Sequence, residues 1–233
     1  MKDMIYERYL DVRRAIDEAA RAAGRNPEEI TLVAVSKTKP LEDMEALAEK
    51  GVKDFGENYP QELKKKAEAI KYPVNLHAIG HLQTNKVRMI LPYTCLIHSV
   101  DSLHLAETIE KEAARIDKVQ EILIEVNAAE EETKFGLSLS DTEALVREIA
   151  ALPHVRIKGL MTIAPFVENG EDNRPVFRNM HELLLDIKSK NIDNVDMEIL
   201  SMGMTHDFRT AVEEGATIVR VGTAIFGERI YHQ

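Results

Sequence analysis

The chain has no tryptophan, and only 5% of its 233 residues are aromatic. A platform that stacks successive bases needs aromatic faces, so single-stranded nucleic acid is excluded as a default partner. Cysteine occurs once, as Cys95, so no internal disulfide can form, and its apolar neighbours predict a buried structural thiol. No stretch is long and uncharged enough to cross a bilayer, and the first eleven residues lack the apolar core of a secretory signal. A cytoplasmic protein is the resulting expectation. Basic residues are in deficit, with 30 Lys and Arg against 40 Asp and Glu and a formal net charge of -10. Such a chain repels phosphate backbones and anionic membranes, which leaves a small molecule as the expected partner, with no nucleic acid and no membrane. No cluster of His, Cys and carboxylates has metal-ligand spacing.

What is present is an alternation. Ile5, Tyr9, Val12, Ile16 and Ala19 recur at helical spacing among charged residues, which predicts an amphipathic helix ending near Gly24. Apolar, β-branched runs then predict strands at 31–36, 54–56, 74–79, 95–100, 119–126, 156–161, 197–200 and 218–221. Helical patterns separate them at 41–50, 60–70, 85–91, 103–115, 141–152, 176–190 and 207–214. Eight strands alternating with helices predict an α/β fold, a single (β/α)8 TIM barrel with an extra N-terminal helix, occupying 1–233 as one domain. A doubly wound open sheet is the alternative, but the turn after the first strand, Ser36-Lys37-Thr38-Lys39-Pro40, has no glycine. The irregular segment 162–174 follows the sixth strand and reads as a lid or rim. No long apolar seam suggests an obligate oligomer, so a monomer is expected.

In a barrel, chemistry gathers where strands hand over to helices. Lys37 stands at that edge of the first strand, just ahead of Pro40, where partial desolvation suits an amine to attack an aldehyde. Asn58 follows the second strand and either hydrogen-bonds a ring hydroxyl or caps the next helix. His77 is assigned to the third strand and His81 to the loop after it. Lys134, after the fifth strand, either reaches an anion at the mouth or is an ordinary surface lysine. Met161 closes the sixth strand and either packs against a flat ligand ring or belongs to the core. Ser201 and Gly203 follow the seventh strand, and Gly222-Thr223 follows the eighth, where glycine backbone and hydroxyl donors suit a phosphate. Arg220 shares a strand face with Gly222, and a buried arginine needs a partner. A lysine, a phosphate cradle and an inward arginine together describe a pocket for pyridoxal 5'-phosphate, with the arginine facing the ring nitrogen.

The segments Ala34-Val-Ser-Lys37-Thr-Lys-Pro40, Phe55-Gly-Glu-Asn-Tyr59, Ile79-Gly-His-Leu-Gln83 with Asn85-Lys86, Gly159-Leu-Met161, Leu200-Ser-Met-Gly-Met204 and Val219-Arg-Val-Gly-Thr-Ala-Ile-Phe-Gly227 resemble the pyridoxal phosphate homeostasis protein family. The likeness covers essentially the whole chain. It implies a barrel like that of alanine racemase, with Lys37 as the Schiff-base residue, forming an aldimine. It also implies Ser201, Gly222 and Thr223 around the phosphate, Arg220 near the pyridine nitrogen and Asn58 near the ring. Thr205 departs from the more frequent Ser of that family but keeps the hydroxyl. The implied role is to hold and release the cofactor in intracellular pyridoxal phosphate and amino-acid homeostasis, with apo pyridoxal-phosphate enzymes as recipients. A guanidinium at the ring nitrogen disfavours its protonation, and the chain ends at Gln233 without the additional domain that supplies a racemase's second base. The rival readings are a pyridoxal-phosphate enzyme such as a racemase, using Tyr59 or His81, and a cofactor-free Schiff-base aldolase for a sugar phosphate.

Overall fold

The computed structural model describes residues 2–131 and 135–228. Its strands are β1 (Thr31–Val35), β2 (Asp54–Glu57), β3 (Asn75–Ala78), β4 (Thr94–Val100), β5 (Gln120–Glu125), β6 (Val155–Met161), β7 (Val195–Ser201) and β8 (Ile218–Val221). They pair in sequence order into a closed barrel. Every pairing is parallel, and β1 closes on β8 with Thr31 opposite Ile218 and Ala34 opposite Val221. This is the predicted (β/α)8 architecture, and the open sheet is set aside. Closure explains why the strands read as apolar runs: alternate residues face either the barrel interior or the surrounding helices. Leu32 and Ala34 belong to the outer cluster, whereas Val33 packs inside with Leu96, Leu123, Met161 and Ile218.

The crossovers are α2 (Leu41–Ala48), α3 (Pro60–Ala69), α4 (Val87–Ile90), α5 (Leu103–Arg115), α6 (Leu139–Ile149), α7 (Arg174–Ser189) and α8 (Phe208–Glu213). The helix expected at 85–91 is a 3-10 turn, Thr84–Lys86, followed by the single turn of α4. Among the described residues, β8 is followed by a short helix, α9 (Thr223–Phe226). The extra N-terminal helix, α1 (Lys2–Ala22), packs against α2, α8 and α9 and so covers the seam where the barrel closes. It buries Ile5, Val12, Ile16 and Ala20 in the outer cluster with Leu32 and Val219. Gly24 ends α1 as expected: at φ +69 it lets Arg25 N–H reach the Ala20 carbonyl and its own N–H reach Arg21. Arg25 then donates through Nη1 to the carbonyls of Val212 (2.6 Å) and Ala216 (2.8 Å), mooring the helix end to the last turn of α8. Among the described residues, no helix is long and apolar enough to cross a membrane.

The tightest strand approach lies beside Gly159. The β6–β7 register shifts between Ile157 and Gly159, and a Cβ at Gly159 would stand 1.8 Å from the Ile199 carbonyl oxygen. Gly159 also has φ +152, a backbone conformation that side-chain-bearing residues rarely adopt. Gly159→Ala is therefore expected to destabilise the barrel by at least about 2 kcal/mol, through strain and strand separation. Urea unfolding checks this, and a variant within about 0.5 kcal/mol of the parent would refute the packing argument.

Candidate functional site

The turn after β1 is held from behind by a buried polar cluster. Ser36 points outward, and its hydroxyl donates to Glu57 Oε1 at 2.5 Å. Lys66 of α3, whose side chain is 6% exposed, donates to the Ser36 carbonyl (2.6 Å) and to Glu57 Oε1 (2.7 Å). Its ammonium also meets Glu62 Oε1 at 2.9 Å, and that same oxygen accepts the backbone N–H of Thr38 at 2.8 Å. Thr38 has φ 62, a left-handed conformation that costs a β-branched residue energy and persists only where its surroundings hold it. Burial raises the Glu57 carboxyl above its usual range, while Lys66 and Ser36 act to lower it. With Ser36 turned out, Lys37 turns in. Lys39 goes elsewhere: its ammonium binds the carbonyls of Phe226 (3.2 Å), Gly227 (2.9 Å) and Glu228 (2.8 Å).

Lys37 lines a cavity of about 220 Å³ at the C-terminal mouth of the barrel, together with Asn58, Arg220, Gly222 and Thr223. Val35, Ile79, Ile163 and Met204 supply apolar wall, and Thr205 and His206 complete the lining. Asn58 is not a helix cap, because Tyr59 occupies the N-cap of α3 without a side-chain cap bond. Gly222 sits so close to β1 that a Cβ there would lie 3.2 Å from the Val35 carbonyl oxygen. The segment after β6 forms the rim, with Ile163 in the wall and Phe166, 77% exposed, standing edge-on to His206 at 5.1 Å.

Two expected site residues lie below this cavity. Met161 is fully buried among Val33, Leu96, Leu123 and Ile218, the barrel's inner apolar layer. Ser201 is also fully buried, and its oxygen accepts from Arg220 Nη1 at 2.6 Å. Both end their strands on the inner face, one layer beneath the mouth, so proximity in sequence to the loops does not bring them to the surface of the cavity. His77 is in β3, as expected, and His81 is in the following loop, where it stacks on Phe135 at 3.9 Å outside the cavity lining. Lys134 lies outside the described residues.

Arg220 is 4% exposed, and burial lowers its guanidinium to about 10, with Glu125 and Asp207 acting in the opposite direction. It therefore stays cationic at neutral pH. Its Nη2 donates to the Thr162 carbonyl at 2.9 Å. Behind Ser201 the chain of contacts continues: Ser201 Oγ to His98 Nδ1 (2.9 Å), His98 Nε2 to His77 Nδ1 (2.9 Å), and His77 Nε2 to Asp54 Oδ1 (3.2 Å). Burial works against a charge on His77, but the hydrogen bond to Asp54 and the proximity of Cys95 outweigh it and push the imidazole up to about 9. His98 is driven well below its ordinary value by burial, then by the charges of His77 and Arg220.

A family profile described as alanine racemase, N-terminal domain, matches residues 12–230. A pyridoxal phosphate homeostasis protein of Aquifex aeolicus (strain VF5) is 46% identical over 226 residues, spanning 97% of this chain and 98% of that protein. The chain belongs to the pyridoxal phosphate homeostasis protein family. Among solved structures, PipY of Synechococcus elongatus PCC7942 with PLP bound superposes with a TM-score of 0.83 at 30% identity, covering 96% of this chain and all (100%) of that one. Alanine racemase of Clostridium difficile 630 superposes at 0.77 with 13% identity over 57% of its own length, a likeness of fold alone.

Several residues that hold this cavity in place escape a reading of the sequence. Glu57 and Lys66 look like ordinary strand-end and helix charges, nine residues apart. Asp207 looks like a helix start, yet its carboxylate accepts from Met204 N–H (2.7 Å) and Asn173 Nδ2 (2.8 Å), binding the loop after β7 to the rim. Glu125 closes β5 with its carboxyl pushed up to about 7 by burial and by Asp101, against the pull of Arg220. For His98 the available signal was its alternation with Leu96, which places it on the inner face of β4.

Lys66→Ala should leave Glu57 buried without its counter-charge and lower stability by about 3 kcal/mol in urea unfolding. A loss near that of an exposed pair, under about 1 kcal/mol, would show that the cluster does not hold the turn. His77 yields a pH dependence. Its folded value of about 9 lies above the ordinary 6.5, so its contribution is fully present below about pH 6.5 and is lost as pH rises through about 9. On the order of 3 kcal/mol should disappear across that window, and His77→Gln should flatten this part of the stability profile. A parent profile that is flat from pH 6.5 to 9.5 would contradict it.

Proposed function

We propose that this chain is a single pyridoxal 5'-phosphate-binding barrel domain spanning 1–233, a cytoplasmic monomer that holds the cofactor on Lys37 and hands it to apo-enzymes. The observation that carries the reading is the convergence of Lys37, Asn58, Arg220 and the Gly222-Thr223 turn on one cavity. The donor set fits the group: an amine for an aldehyde, backbone and hydroxyl donors beside Gly222 for a phosphate, and a guanidinium at the floor for a ring nitrogen. The closeness of Gly222 to Val35 leaves room for backbone where a side chain would intrude. The reading agrees with the solved relative that has PLP bound.

When bound, the cofactor supplies an aldehyde and an electron-accepting ring. Lys37, whose amine lines the cavity, would be the residue that holds the group by its aldehyde. Arg220, cationic and bonded to Ser201 and Thr162, would offer a donor to the ring nitrogen and so disfavour its protonation, which would weaken the ring as an electron sink. Asn58 would orient the ring, and Val35, Ile79 and Ile163 would exclude water from it. Binding without substantial turnover follows. The racemase alternative needs a second base at the cofactor; Tyr59 is 52% exposed, and neither it nor His81 lines the cavity.

Borohydride reduction of the loaded protein followed by peptide mapping should place the pyridoxyl group on Lys37. Gly222→Val should weaken retention by at least about tenfold, the equivalent of about 1.4 kcal/mol. An adduct mainly on Lys39, or robust racemisation by the loaded parent, would overturn the reading.

A further inference from the structure

The inner layer of this barrel is not uniformly apolar. Asp54, His77, His98, Ser201 and Arg220 form a continuous hydrogen-bonded chain from the N-terminal end of β2 to the floor of the cavity, with links of 3.2, 2.9, 2.9 and 2.6 Å. Each residue comes from an inward position on a different strand, on β2, β3, β4, β7 and β8 in turn. Only Asp54 reaches solvent appreciably, its side chain being 30% exposed at the far end of the barrel. The proposed cofactor site does not need so long a chain, because Arg220 already has two acceptors in Ser201 and Thr162.

The donors and acceptors fix the direction of the chain. When His77 is protonated, Nε2–H donates to Asp54 and Nδ1–H donates to His98 Nε2. His98, kept neutral by burial, then carries its proton on Nδ1 and donates to Ser201 Oγ, which also accepts from Arg220. The serine proton must point elsewhere. When His77 is neutral, the two middle links can run the other way, Ser201 to His98 and His98 to His77, while Arg220 still donates to Ser201 and His77 still donates to Asp54. A protonation change at His77 therefore reverses two hydrogen bonds above it and alters the acceptor that Arg220 sees. The charged and titratable groups around His77 are Asp54 from β2, and Cys95 and His98 from β4, with Lys53 and Tyr9 of α1 interacting with Asp54.

Resting on the reading of the cavity as a pyridoxal 5'-phosphate site, we propose that His77 and His98 are positioning residues of that site, coupling the Arg220 guanidinium through Ser201 to the protonation state of the Asp54–His77 pair at the opposite end of the barrel. Coupling of this kind is reciprocal: if His77 acts on the cofactor's surroundings, the cofactor must act on His77. Neither histidine lines the cavity, so a response at either reports transmission rather than contact.

Long-range proton–nitrogen spectra of the histidines, recorded across pH 6 to 10 with and without pyridoxal 5'-phosphate, test this. The expected result is a neutral His98 protonated on Nδ1 below about pH 9, a His77 titration near 9, and a displacement of that titration by at least about 0.3 pH units when the cofactor's visible band is present, corresponding to about a twofold coupling. Ser201→Ala, recorded at saturating cofactor, should abolish the displacement, and Ser201→Thr, which keeps the hydroxyl, should restore it. A chain that is merely structural would change thermal stability in these variants without moving the histidine titration. If the parent shows the visible band but the His77 titration is identical with and without cofactor, the coupling is refuted and the site reading stands. If the parent shows no band, the site reading fails and this inference fails with it.

Discussion

A guanidinium buried inside a closed barrel is the constraint from which much of this structure follows. Most barrel interiors are filled with branched aliphatic side chains, and one layer here, Val33, Leu96, Leu123, Met161 and Ile218, is of that kind. Arg220 cannot sit on such a layer alone, because an uncompensated buried charge costs several kcal/mol. The inner positions around it are accordingly polar: Ser201 and the Thr162 carbonyl bond it directly, and Glu125 and Asp207 act on it at longer range. Once Ser201 is committed to Arg220 it brings His98, and His98 brings His77 and Asp54. Much of the polar content of the interior is thus one connected system.

A second system acts from outside the barrel. The Ser36–Glu57–Lys66 cluster and Glu62 hold the first strand-to-helix turn, including Thr38 in its left-handed conformation. Orientation of Lys37 is set by this turn, since adjacent residues point to opposite faces of a strand. Asp207 and Asn173 do the equivalent work for the loops after β7 and β6. The groups that face the cavity therefore stand on backbone fixed by buried polar contacts, which is what a site needs if it is to meet a ligand without reorganising.

The two histidines of the interior carry opposite electrostatic characters although a nitrogen of each lies 2.9 Å from the other. His77 has Asp54 and Cys95 beside it and is held charged; His98, fully buried between His77 and Ser201 and near the charge of Arg220, is held neutral. Identical side chains acquire different roles from which end of the barrel they approach.

The sequence by itself determined the architecture. Runs of buried strand residues alternating with helical patterns leave little but a closed parallel barrel, and Gly24 marks the end of the first helix because only a residue without Cβ takes that conformation freely. The strand-end residues Lys37, Asn58, Arg220, Gly222 and Thr223 were also legible, since strand termini on one face of a barrel converge whatever the intervening loops contain. Tertiary structure decided the rest. Whether Met161 and Ser201 reach the mouth or lie one layer down depends on where each strand stops relative to its neighbours. That is a matter of register across the whole barrel and not of local pattern. The pairing of Lys66 with Glu57, of Asp207 with Asn173 and of His98 with both His77 and Ser201 joins residues separated by up to 103 positions. Such contacts leave no periodic trace, because a buried polar partner is chosen by geometry in three dimensions and any residue with the right donor at the right inward position would serve.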